Sequence, residues 1–74
     1  MPTYVFRFKD IKFDTSDPDG EDEMTANLLN SKYGRTVLEV EADGFDEALK
    51  IAIDRIKWQS GFNVIDADYD LSIT

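Results

Sequence analysis

Residues 44–58 read GFDEALKIAIDRIKW, and the spacing of their apolar side chains decides the fold. Phe45, Ala48, Leu49, Ala52, Ile53 and Ile56 fall at i, i+3, i+4, i+7, i+8 and i+11. At about 3.6 residues per turn these positions form one continuous stripe, which predicts an amphipathic helix with a single face to bury. The charges agree with that direction. Asp46 and Glu47 stand in the first turn and Arg55 and Lys57 near the end, each where the helix dipole favours its sign. Asp43 or Gly44 can cap the start, and Gly61 is a natural stop.

A one-faced helix needs a sheet to cover, and the flanking segments supply strands. Residues 62–74, FNVIDADYDLSIT, alternate Ile65, Ala67, Tyr69, Leu71 and Ile73 with Asp66, Asp68, Asp70, Ser72 and Thr74. That period of two predicts a strand with one apolar face and three successive aspartates on the other. Residues 35–42, RTVLEVEA, predict a second strand: Thr36, Leu38, Val40 and Ala42 face inward, and Arg35, Val37, Glu39 and Glu41 face outward. Near the N-terminus, Tyr4, Phe6 and Phe8 alternate with Val5, Arg7 and Lys9. The phase then slips, because Ile11 and Phe13 are the next apolar residues, and a β-bulge or a strand end near Lys9-Asp10 is expected.

Between the first two strands, Asp14 to Glu23 reads DTSDPDGEDE. Pro-Asp-Gly is a turn signal, and six carboxylates without a counter-charge repel one another, so residues 14–23 are expected to form a mobile, solvated acidic loop. Residues 24–31, MTANLLNS, fit either a short helix through the i, i+4 pair Met24 and Leu28 or a strand leading into a hairpin. The expected fold is therefore a single domain over residues 1–74, of α+β class. It is a small two-layer domain in β-β-α-β order, with a mostly antiparallel three- to four-stranded sheet and one amphipathic helix packed on one face.

Composition removes whole classes of chemistry. The 74 residues contain no Cys and no His, which excludes disulfides, thiolate zinc sites and any imidazole base. The formal net charge is −8, with 16 acidic residues against 8 basic ones. Direct binding to nucleic acid, which needs clustered Lys and Arg, is disfavoured, and a basic partner is favoured. No apolar run approaches the length of a membrane span, and no secretory signal is visible, so no membrane association and a cytoplasmic location are expected. The glycines stand singly, the serines lack a His base, and one helix on one sheet offers little concavity, so no enzyme activity and no cofactor are expected. A calcium loop with Gly20 at its sixth position would place Asp17 and Asp19 correctly. It would also put Thr15 at the first ligand and Ala26 at the last, so no metal site is expected.

The feature that points to function is the ladder Asp66, Asp68, Asp70. Alternate strand residues stand about 6.6–6.8 Å apart on one face. Asp is a poor strand former and like charges side by side repel, so the ladder costs stability and brings no packing in return. A row of anions at this interval is of the order of the spacing along a nucleic-acid backbone, and it could also meet a Lys/Arg row on a protein. The opposing reading is an exposed face made polar, with charges that block edge-to-edge pairing. If the strands at 35–42 and 62–74 are neighbours, Glu39 and Glu41 widen the ladder into a patch of five carboxylates. Arg7 and Lys9 face away from the aromatic side of their strand and are expected to pair with Glu39 or Glu41 across the sheet. Trp58 and Tyr33 lie off the helical stripe, either as exposed interface anchors or as residues covering the edge of the core.

In its length, its surface carboxylates and the order YVFRF, RTVLEVEA, GFDEALKIAIDRIKW, FNVIDADYDLSIT, the chain resembles small acidic phage-encoded inhibitors of host defence, of the anti-CRISPR type. That resemblance implies a host-cytoplasmic protein that presents an acidic surface to a basic, nucleic-acid-binding groove of a protein or nucleoprotein partner. The matching residues here are Asp66, Asp68, Asp70, Glu39 and Glu41. Arg7, Lys9 and Lys12 depart from an all-acidic surface. The alternative is a small structural module that homodimerises through its sheet edge or face, with acidity serving solubility alone.

Overall fold

The computed structural model describes residues 1–15 and 22–74. The elements run β1 (Thr3–Asp14), α1 (Asp22–Tyr33), β2 (Val37–Glu41), α2 (Phe45–Ser60) and β3 (Asn63–Ile73). The three strands form one antiparallel sheet in the order β2-β1-β3. The fold is thus α+β, as expected, but in β-α-β-α-β order, because residues 24–31 belong to a second helix. Most of the acidic-loop expectation, including the calcium ligands Asp17 and Asp19, concerns residues 16–21, which lie outside the described residues. Its two ends are ordered differently from that expectation: Asp14 closes β1 and Asp22 opens α1.

β1 is the centre of the sheet because it has the longest run of aromatic, inward-facing residues. Tyr4, Phe6, Phe8, Ile11 and Phe13 are all buried, and Phe6 is fully so. The β1–β3 register shifts between Phe8 and Asp10. The bulge expected from the sequence is there, and it turns Lys9 and Asp10 to the same outer face so that Ile11 can face the core. At about 3.3 Å per residue the twelve residues of β1 span about 40 Å, which accounts for the 45 Å long axis of a molecule only 17 and 16 Å across.

α2 lays Ala48, Ala52 and Ile56 against this sheet with no solvent exposure. Gly44 is its N-cap, and Gly61 ends it in the left-handed conformation at φ 79°, where its N–H reaches the Lys57 carbonyl. Phe6 sits at the middle of the core, with ring centroids 5.3 Å from Tyr69 and 6.3 Å from Phe45.

α1 covers the part of β1 that β2 is too short to reach. The Ile11 N–H donates to Asn30 Oδ1 at 2.9 Å, which closes the open edge of β1. Gly34 makes this possible, since a Cβ there would collide with the side chain and the carbonyl of Asn30. The expected alternation of β3 is broken once. A second register shift between Lys12 and Phe13 gives Val64 the inward place, so Ile65 is exposed rather than buried. Leu71 and Ile73 do lie on the helix side, opposite Phe6 and Tyr4, but neither helix covers that corner and both stay exposed.

Candidate functional site

The outer face of the sheet is set by the cross-strand pairing. Directly opposed residues share a face, so Glu41 and Glu39 on β2 stand beside Thr3 and Val5 on β1, and Asp70, Asp68 and Asp66 on β3 stand beside Arg7, Asp10 and Lys12. All five predicted carboxylates therefore lie on one face, and all are exposed. They do not form one adjoining patch. β1 separates β2 from β3, so the glutamates and the aspartate ladder are two strand spacings apart, roughly 9.5 Å. The strands at 35–42 and 62–74 are not neighbours because the aromatic strand β1 needs cover on both its edges.

The column between them is mixed in charge. Lys9 Nζ bonds Asp70 Oδ1 at 2.9 Å, with both side chains more than half exposed. That hydrogen bond, followed by the charge of Asp70, raises the Lys9 pKa above its ordinary value of 10.5. This replaces the expected pairing of Arg7 and Lys9 with Glu39 or Glu41, since the register sets Arg7 opposite Val37 and Asp70 instead. Arg55 from α2 takes up the β2 side, where its Nη1 donates to the backbone carbonyl of Glu39 at 3.1 Å.

The sequence reading missed Asp10. It lies directly opposite Asp68 on the outer face, and both are exposed. The signal was present in the phase slip, which requires two successive outward residues, Lys9 and Asp10. Asp10, Asp66 and Asp68 line a shallow depression with Lys12 and Ala67. Asp66 is partly committed within the chain, since its Oδ1 accepts the Ala67 N–H at 2.9 Å. Among the described residues no three His, Cys, Asp or Glu side chains converge as a metal site.

The two aromatic candidates separate. Tyr33 is half-buried, packs edge-on to Phe13 at 6.3 Å and donates its hydroxyl to the Gln59 carbonyl at 3.0 Å, so it joins α1 to α2 at the core edge. Trp58 is 88% exposed and covers nothing. Among the described residues no helix is long and apolar enough to cross a membrane. The chain matches no family model, no curated protein and no solved structure.

Proposed function

We infer that the chain is a non-enzymatic binding protein whose acidic outer sheet face docks on a basic, nucleic-acid-binding groove of a protein or nucleoprotein partner, competing there with nucleic acid as the anti-CRISPR-type inhibitors it resembles are thought to do. The observation that carries this reading is the pairing of Asp10 with Asp68. Two carboxylates set directly opposite each other on a sheet oppose folding, and they stand here among Asp66, Asp70, Glu39 and Glu41 on the face away from α1 and α2, where all of them are exposed. Among the described residues Lys9, paired with Asp70 and attracted by Asp68, offsets part of that cost, and a row of Lys and Arg on a partner would offset the rest. Arg7, Lys9 and Lys12 between the acidic columns give the face a defined pattern, which favours register over indiscriminate attraction to cations.

The test compares the wild-type chain with Asp66→Asn/Asp68→Asn/Asp70→Asn and with Glu39→Gln/Glu41→Gln in capture from a lysate of nucleic-acid-handling complexes. Capture that falls steeply with salt, is displaced by added nucleic acid and is lost in the aspartate variant supports the reading. Capture with an unchanged salt slope in that variant overturns it. A second reading, a module that associates with its own copy, draws on exposed Trp58, Leu71 and Ile73. A mass that rises with concentration in sedimentation, with Trp58 becoming shielded, would favour it.

A further inference from the structure

We propose that the edge of β3 between Tyr69 and Ile73 accepts an added strand from the partner, and that this strand alternates basic and apolar residues. The proposal deepens the binding reading above and rests on it. It starts from the backbone. Thr3 and Thr74 exchange both of their main-chain hydrogen bonds, at 3.0 and 2.8 Å. Bonded and non-bonded pairs alternate along an antiparallel ladder, so Ser72 and Asp70 turn their N–H and C=O groups towards β1, and Tyr69, Leu71 and Ile73 turn theirs to the outer side. No strand of the described chain pairs there.

Elsewhere on the sheet margin, side chains take up outward main-chain groups at two points. On β2 the outward carbonyl of Glu39 is taken by Arg55. Further along β3 the outward N–H of Ala67 is taken by Asp66. Among the described residues no side chain does this between Tyr69 and Ile73, and Leu71 and Ile73 are exposed beside that stretch.

The chemistry of the two flanks selects the occupant. On the helix side, Leu71, Ile73 and Phe45 are exposed, and beyond Tyr69 an apolar groove of about 250 Å³ runs between Leu49, Ile53, Val64 and Ile65. On the outer side stand Asp68 and Asp70. A strand laid against this edge directs alternate side chains to these two flanks. Its apolar residues meet Leu71 and Ile73, and its Lys or Arg residues meet the aspartates. A second copy of the chain is the occupant the charges oppose, because pairing the same edge brings Asp68 and Asp70 of each copy together.

The test uses the full chain and a synthetic nonapeptide of alternating Lys and Val, with a lysine homopeptide for comparison. The readout is amide hydrogen exchange by NMR together with the dissociation constant. The Leu71 and Ile73 amides are expected to exchange quickly in the free chain and to become protected at saturating nonapeptide. Leu71→Pro removes the outward N–H without removing a ladder bond to β1. It is expected to weaken binding about tenfold, the cost of one lost hydrogen bond. Leu71→Ala keeps the donor and should cost less. Methylating the nonapeptide's bonding amides on wild-type chain gives the same reading if Leu71→Pro does not fold. Nonapeptide binding with the edge amides still unprotected overturns strand addition. If the lysine homopeptide then binds equally well to the outer face, the carboxylate reading of the function stands without it. If neither peptide binds at low salt, both fail. Edge protection that appears with rising protein concentration alone names a second copy as the occupant and overturns the proposal.

Discussion

Replacing Asp68 by Asn is expected to stabilise the fold, although it removes a charged side chain from an exposed strand. Asp68 sits opposite Asp10, and such pairs have Cβ atoms about 4.5–5.5 Å apart. Two unit charges 5 Å apart in water repel by about 0.8 kcal/mol. Lys9 feels the charge of Asp68 favourably, which offsets part of this. The net gain expected is about 0.5 kcal/mol, or roughly 2–4 °C in the melting temperature of a domain this small. Asn is as poor a strand former as Asp, so the exchange isolates the charge. Thermal melts at about 10 mM salt should show the full gain, and at about 1 M, where screening acts over about 3 Å, most of it should vanish. Asp10→Asn should give a similar gain, and the double variant little more than either, because one substitution already ends the repulsion. An Asp68→Asn chain that melts at or below wild type in low salt, or whose gain is insensitive to salt, would refute the claim that this face is held together against its own charge.

Four other expectations follow from the structure. Asn30→Ala leaves the partly buried Ile11 N–H without its acceptor and should cost about 1–3 kcal/mol in urea unfolding; Gly34→Ala should cost more, because its Cβ would meet the Asn30 backbone carbonyl as well as that side chain. Because the Lys9 pKa is raised in the folded chain, its contribution is fully present below pH 10.5 and fades as the pH rises through the folded value, so melts of wild type and Lys9→Gln should converge in that alkaline range. Ile56→Ala empties a fully buried site and should cost about 2–5 kcal/mol, enough to unfold so small a chain. Trp58→Ala should leave unfolding within about 0.5 kcal/mol of wild type, with the native indole quenched by acrylamide almost as freely as free tryptophan.

What could be read from the sequence was whatever alternation and helical period determine, namely which face a residue takes. The stripe from Phe45 to Ile56 and the slip after Phe8 gave the second helix and the bulge at Lys9. Neighbour relations were not legible, because facing outward says nothing about which strand lies beside which. Glu39 and Asp68 share a face but not a border. α1 was hidden for a different reason. The pair that drew notice, Met24 and Leu28, lies on its exposed side, while Leu29 and Tyr33, also four apart, do the packing. The bulge at Ile65 did leave a mark of the same kind as the slip after Phe8: Phe62 and Val64 keep one phase and residues 65–73 the other, so the adjacent apolar pair Val64-Ile65 is where β3 changes phase.

The central strand of the sheet is the first to be synthesised, and its longest partner is the last. Bonds between Thr3 and Thr74 join residues far apart in the numbering, so Tyr4 and Phe6 lack their β3 partners until residues 71–73 have left the ribosome. Closing a loop of this length is slow compared with forming a local hairpin. During translation those aromatics depend on the early α1 and β2, or on a chaperone, to avoid sticking to other chains. Removing the residues after Tyr69 would strip Tyr4 to Arg7 of their β3 partners and leave that end of the central strand with an open edge.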